Sequence, residues 1–146
     1  MLQTHLQFLS KQMANITYLP TLFEYYSAIH MSKLHQTPFF VYRDIPLSHK
    51  KLAGFPLTDK GIDLINACFT HIAQVKYYGQ RSQITYGRLS TFLATPILTG
   101  KRVLHLTLLR TDHCKVHNDV RRIIERADLC DVVLHDRAFL DWIRLL

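Results

Sequence analysis

The chain lacks the features that mark membrane, secreted and disulfide-stabilised proteins. It has no run of about 18 apolar residues and no charged N-terminal region followed by an apolar one. Neither a membrane span nor a signal peptide is therefore expected. Its three cysteines, Cys68, Cys114 and Cys130, are odd in number and widely spaced, which argues against a disulfide framework. We expect a soluble, intracellular protein.

Acidic residues are also few. The chain has 11 Asp and Glu against 18 Lys and Arg, which gives a formal net charge of +7. A surplus of this sign favours a polyanionic partner such as nucleic acid, although it also suits ordinary solubility and says nothing of the fold. The 146 residues, 48% of them hydrophobic, suit one globular domain without repeats or low-complexity tracts.

Apolar spacing and breaker residues predict alternating helices and strands. The first part is predicted to hold a helix over 2–13, a helix from Pro20 to about 35, a strand over 39–45 and a loop over 46–60. The second part is predicted to hold strands over 61–67 and 71–78, a helix over 84–95 ended by Pro96, a strand over 103–109, a helix over 118–129 capped by Asn118, a strand over 131–135 and a closing helix. This order predicts an α/β protein, in which helices flank a mixed sheet.

Three polar residues interrupt the apolar strands in the middle of the chain. Asp63 lies in the run GIDLI, and Gln74 and Lys76 lie in the run IAQVKYY. A hairpin centred between Cys68 and Phe69 sets Asp63 opposite Gln74, and alternation puts Lys76 on the face of Gln74. An acid, an amide and an amine then converge. A metal ion with a phosphate ligand is one way to offset the desolvation of all three.

With these motifs, the sequence resembles the PD-(D/E)xK nucleases, and more narrowly the Mrr-like group, in which a GID strand precedes a QxK strand. The resemblance runs from about Thr21 to the C-terminus, because a helix, a strand, a second helix and a short strand follow in the expected order. It implies a restriction-endonuclease-like α+β core over 20–146, with 1–19 as an added N-terminal helix. The implied activity is Mg²⁺-dependent endonucleolytic hydrolysis of DNA, with Mn²⁺ as an alternative cofactor.

The resemblance also implies roles for individual residues. Asp63 corresponds to the acidic metal ligand, the backbone carbonyl of Val75 to a second ligand, and Lys76 to the lysine that orients or activates water. Gln74 stands where the family commonly has a second acid, so the metal site has one fewer fixed negative charge. Glu24, in an FE pair, matches a helix glutamate that the family often aims at the metal.

Residues around this motif are candidates for nucleic-acid contacts, since basic and amide groups bind phosphates and tyrosines pack on sugars or bases. The candidates are Tyr78, Gln80, Arg81, Lys51, Lys60 and Arg88, with Arg43, His49 and Lys50 extending the same basic groove. The alternative is a set of solvated charges. A homodimer and fusion to a larger DNA-processing protein both stay open, and the oligomeric state is not predicted.

Plainer alternatives exist for the implied catalytic residues. Asp63 and Lys76 also suit a cross-strand ion pair, and Glu24 suits a solvated helix position. Asp44 competes with Asp63 as the first acid, but it lies far from the QxK strand. The main rival function is an inactive module of the same fold that binds nucleic acid or a partner protein, and a basic binding domain in which QVK is a coincidence is a third.

A separate string, HCxxH, superficially matches a zinc site. It comprises His113, Cys114 and His117. Structural zinc sites usually need four ligands in paired spacing, with only Cys130 and His135 nearby to complete the set. A polar loop between a strand and a helix is the simpler interpretation.

Overall fold

The apolar periodicity of the N-terminal region produces two helices that pack against each other. The computed structural model describes residues 1–58, 61–77, 83–100, 102–126 and 129–146. Helix α1 spans Leu2–Ala14 and α2 spans Leu19–His35, as predicted. Pro20 stands in the first turn of α2, where its missing N–H costs no hydrogen bond. Gln36 ends the helix in the left-handed conformation, with φ 53°.

The remaining elements alternate between strands and helices. They are β1 (Phe39–Val41), α3 (Leu47–Ala53), β2 (Leu64–Asn66), β3 (His71–Lys76), β4 (Gln83–Ile84), α4 (Tyr86–Leu98), β5 (His105–Thr111), β6 (Lys115–Val116), α5 (Asn118–Arg126), β7 (Leu129–Leu134) and α6 (Asp136–Ile143). None of the described helices is long and apolar enough to cross a membrane.

Five of these strands form one mixed sheet in the order β1-β2-β3-β5-β7. Strands β1, β2 and β3 are antiparallel neighbours, whereas β3, β5 and β7 run parallel. Strands β4 and β6 make a separate two-stranded parallel sheet. Because β3, β5 and β7 are parallel, their carboxyl ends lie at one edge of the large sheet, which we call the carboxyl edge.

Helices cover both faces of the large sheet. On one face, α1, α2 and α6 pack on Ala73 and Val75, and Phe139 of α6 is fully buried there. On the other face, α4 and α5 pack on Ile72, with Phe92 of α4 and Val120 of α5 fully buried. The predicted mixed sheet flanked by helices is confirmed.

The predicted loop over 46–60 is wrong in its first half, which forms α3. Pro46 immediately precedes this helix, and Gly54 ends it in the left-handed conformation, with φ 73°. A proline at the start and a glycine at the end are helix-boundary signals as well as loop signals. Lys50, predicted for a basic groove, is only 3% exposed, and its Nζ lies 4.3 Å from the centre of the Tyr42 ring.

Other predicted boundaries need correction too. The strand predicted over 39–45 ends at Val41 and continues as a single 3-10 turn, Tyr42–Asp44. Helix α4 does not end at Pro96 but includes it. A proline in the last turn removes only one backbone hydrogen bond near the C-terminus of the helix, so the helix continues to Leu98. Asn118 is the first residue of α5 and not its cap. His117 caps this helix, since its carbonyl accepts the Arg121 N–H at 3.0 Å.

Candidate active site

The β2–β3 hairpin sets the positions of the predicted catalytic residues. Leu64 pairs with Ala73 and Ile65 with Ile72, so the hairpin is centred between Cys68 and Phe69, as predicted. The ladder of paired residues ends at Leu64 and Ala73, and the Asp63 N–H also donates to the Ala73 carbonyl, so the pairing stops one step short of the predicted alignment of Asp63 with Gln74.

The turn of this hairpin is held by a side chain that the sequence patterns did not single out. Asn66 Oδ1 accepts the N–H groups of Thr70 at 2.9 Å and His71 at 3.0 Å. Phe69 takes a positive φ of 58°, which is uncommon for a residue with a side chain. The signal was present in the sequence, since Asn is a frequent turn residue and lies two positions before the predicted turn over 68–70.

Asp63 lies immediately before β2 and makes backbone hydrogen bonds to both neighbouring strands. Its N–H donates to the Ala73 carbonyl at 2.9 Å, and its carbonyl accepts the Tyr42 N–H at 2.8 Å. The carboxylate Oδ2 accepts the Val75 N–H at 2.7 Å. In an antiparallel pair, one residue directs its N–H and its C=O to the same neighbour, so the Val75 carbonyl also faces the side of Asp63. The two residues implied as metal ligands are thus adjacent.

Gln74 is buried on the face covered by α4. It is 4% exposed, and a Cβ built on Gly61 would lie 3.0 Å from its Nε2. Gly61 has φ 82°, so a larger residue there is strained and also requires the Gln74 amide to shift. The amide Oε1 is buried without a hydrogen-bond partner in the part of the chain that the structure describes. Such an orphaned acceptor is unusual in a native core and invites a ligand.

Lys76 ends β3 at the carboxyl edge, where it is half-buried beside Arg110 in the parallel register. Sequence reasoning missed Arg110, which forms a bidentate pair with Asp131 at 2.9 and 3.0 Å and donates to the Cys114 carbonyl at 2.6 Å. The hydrogen bond to Asp131 raises the pKa of Arg110. Arg110 is thus held by β7 and by the segment before β6.

Glu24 lies on α2 and forms an ion pair with Arg43 at 2.8 Å. Its side chain is 19% exposed, so it is not a fully solvated helix residue. The neighbouring Tyr25 hydroxyl donates to Asp44 at 2.5 Å, and burial first, then Asp44, raises the tyrosine pKa. These two contacts dock α2 on the 3-10 turn and engage both Glu24 and Asp44.

The predicted nucleic-acid contacts are only partly described. Lys51 on α3 and Arg88 in the first turn of α4 are exposed. The remaining four candidates, Tyr78, Gln80, Arg81 and Lys60, lie outside the described residues.

The carboxyl edge also holds a network that the sequence did not indicate. The Asp136 carboxylate accepts the Tyr77 hydroxyl at 2.9 Å, and the Asp136 N–H donates to Asp112 at 2.9 Å. Burial, followed by Asp136, raises the pKa of Tyr77 to about 12. These contacts join β3, β5 and the start of α6, and they give the edge a fixed shape.

The HCxxH string serves structural contacts. Cys114 is fully buried, and His113 lies 4.0 Å from Asp136. Within the described ranges, no three His, Cys, Asp or Glu side chains are placed to hold a metal ion. A metal site built wholly from side chains is therefore absent there, and a site at Asp63 needs backbone, amide, water or substrate oxygens as well.

Comparisons of the chain with protein-family models, curated proteins and solved structures found no match.

Proposed function

We propose that this protein is a metal-dependent endonuclease that hydrolyses DNA phosphodiester bonds beside the end of β3, with Mg²⁺ or Mn²⁺ as cofactor. The observation that carries the proposal is the position of the Asp63 carboxylate, which lies 2.7 Å from the Val75 N–H on the strand that ends at Lys76. Strand geometry directs the Val75 carbonyl to the same side, and the adjacent Gln74 has a buried amide oxygen without a partner among the described residues.

This donor set fits a hard divalent cation. Mg²⁺ prefers oxygen ligands and is commonly held by one or two carboxylates together with waters and substrate phosphate. Asp63 and the Val75 carbonyl would hold it, with Glu24 as a further candidate if its pair with Arg43 opens. The bound ion supplies positive charge that polarises a phosphate and lowers the pKa of a water.

The protein's own contribution is to place charge. Lys76, two residues beyond Gln74 on the same strand, would place an ammonium group beside a phosphate bound at the carboxyl edge, which gains negative charge during hydrolysis. The Asp63–Val75 hydrogen bond fixes the carboxylate, so little reorganisation is needed when a substrate binds.

The architecture supports the same proposal. After the hairpin with GID and QVK come α4, β5, α5 and β7, which is the order of helix, strand, helix and short strand that the family resemblance implies. The site also lies at the carboxyl edge of parallel strands, a common place for ligands in open α/β sheets.

Cleavage assays with matched variants test the proposal. The parent chain should cut at least one member of a panel of duplex, branched, single-stranded and modified DNA, with RNA as a comparison, when Mg²⁺ or Mn²⁺ is added, and none in EDTA. Asp63→Asn and Lys76→Gln should abolish cutting, whereas Asp141→Asn and Lys33→Gln, on exposed helix positions, should not. Absence of cleavage by the parent on every substrate contradicts the proposal.

A second candidate function is a module of the same fold that binds nucleic acid without cutting it. Gln74 favours this alternative, because an amide in place of an acid removes one charged oxygen ligand. Binding of DNA that is unaffected by Mg²⁺, with no cleavage, is the result expected of this module.

A further inference from the structure

The solvent face of α5 carries arginines that the described acids do not neutralise. The helix buries Val120 and leaves Arg121, Arg122 and Arg126 exposed. None of the three arginines forms an ion pair within the ranges that the structure covers. Lys115, on β6 just before the helix, is exposed as well. We call these four residues the α5 strip.

Two members of the strip repel each other. Arg122 and Arg126 are like charges four residues apart, so they lie on the same side of the helix and destabilise it. The helix dipole does not oppose the strip, since Asp119 lies in the first turn and Arg126 in the last. A polyanion bound along the strip relieves the repulsion, because it places negative charge beside every member.

The α5 strip begins at the carboxyl edge, which is the end of the sheet where the proposed site lies. Helix α5 follows β5 and β6, so it starts at the edge where β5 ends and then runs back along the sheet. The His117 N–H donates to the Ile84 carbonyl at 2.9 Å, and the Tyr86 N–H donates to Asp119 at 3.3 Å. The starts of α4 and α5 are thereby joined, and the exposed Arg88 of α4 lies at the same end.

We propose that the α5 strip binds the phosphate backbone of a nucleic acid that passes over the carboxyl edge. Phosphate contacts from Arg and Lys position a nucleic acid without reading its sequence, so recognition here is independent of base identity. The alternative polyanion, an acidic membrane surface, is disfavoured because the apolar side of α5 is packed in the core and leaves no apolar face for insertion. This binding proposal depends on the proposed nuclease function only in where a bound nucleic acid would be cut.

The salt dependence of binding tests the strip. Fluorescence anisotropy with a labelled short duplex of arbitrary sequence, in EDTA so that nothing is cut, gives the slope of log affinity against log salt. The double variant Arg122→Gln/Arg126→Gln should lower that slope by about 1.8, at about 0.9 for each phosphate that is no longer neutralised. The control Lys11→Gln/Lys33→Gln removes the same charge from exposed positions on α1 and α2 and should leave the slope unchanged.

A charge-conserving double variant separates the effect of charge from that of structure. Arg122→Lys/Arg126→Lys retains both charges and should show the parental slope, with circular dichroism confirming the fold of each variant. Equal slopes for the glutamine variant and its control, or parental binding to vesicles of acidic lipid but not to the duplex, would overturn the proposal. A parent that binds through the strip but cuts no substrate would instead refute the proposed nuclease and leave the strip standing.

Discussion

The carboxylate of Asp63 accepts a hydrogen bond of 2.7 Å from the backbone N–H of Val75. The contact gives Asp63 a structural role. Asp63 precedes the first paired residue of β2, and its side chain supplies the acceptor for a strand N–H that the β2 backbone does not pair. It also holds a negative charge beside the Val75 carbonyl. Any good hydrogen-bond acceptor at position 63 satisfies the Val75 N–H, whereas a bound cation needs the negative charge of the carboxylate. Substitutions of Asp63 can therefore separate its structural role from metal binding.

Asp63→Ala should lower the free energy of unfolding by about 1.5–3 kcal/mol, since it removes a charge-assisted hydrogen bond and leaves the Val75 N–H without an acceptor. Asp63→Asn keeps an oxygen acceptor and should lose less than half as much. Urea denaturation measures both values. If Asp63→Ala is as stable as the parent, the hydrogen bond does not support the hairpin. If Asp63→Ala is inactive but Asp63→Asn still cuts DNA, the negative charge is not needed for activity.

Gln74→Glu should make stability depend on Mg²⁺. A carboxylate at this buried position is costly without a partner, so the variant should unfold at a lower temperature than the parent in EDTA. Added Mg²⁺ should raise its melting temperature more than it raises that of the parent, and cleavage should be retained or increased. Equal shifts with Mg²⁺ for both proteins would show that no cation reaches this position.

His71 should make the protein less stable as the pH falls. It is 7% exposed, its Nε2 lies 2.7 Å from Thr107 Oγ1, and burial, followed by His35 and His105, lowers its pKa to about 4. The unfolded chain takes up this proton near pH 6.5 and the folded chain only near 4, so stability is lost between these values. The loss from this group is about 3 kcal/mol.

Denaturation across this pH range is the measurement for His71. His71→Gln should flatten the dependence between pH 6.5 and 4, whereas His49→Gln, at an exposed position, should retain it. Parallel curves for the His71 variant and the parent would assign the pH dependence to other groups.

Asp131→Ala should be among the more destabilising single changes, at about 3 kcal/mol, because it leaves the bidentate Arg110 guanidinium without its counter-charge. The side chains of this pair are 16% and 19% exposed. The exposed pair Arg144–Asp141 is the control, and Asp141→Ala should cost less than about 1 kcal/mol. Thermal unfolding of the two variants compares them directly, and equal losses would contradict the distinction.

The parts of the fold predicted correctly are those with a local periodic signal. Helical spacing located α1, α2 and α6, and a hairpin centre between Cys68 and Phe69 predicted the pairing of β2 with β3. The sequence does not reveal α3, because Pro46 and Gly54 suit a loop as well as the ends of a helix. The pairing of β4 with β6 has no periodic signal, since each strand has two residues and the partners are far apart in sequence.

The same limit applies to the candidate site. Asp63, Val75 and Gln74 were placed together because the hairpin that joins them is local. The pairs Glu24–Arg43 and Arg110–Asp131 join separate elements, so they depend on how helices and strands pack. Strand spacing alone did not reveal that the Gln74 amide oxygen is buried without a described partner.

The local hairpin has a consequence for folding kinetics. Closing β2 on β3 requires only a short turn, for which Asn66 supplies two hydrogen bonds, whereas β3, β5 and β7 meet only after two helical crossovers have been closed. Short-range hairpins form within microseconds, and long-range parallel pairing is slower. The Asp63–Val75 contact thus belongs to a segment that can assemble before the rest of the sheet, and the slow steps of folding fall on the parallel strands.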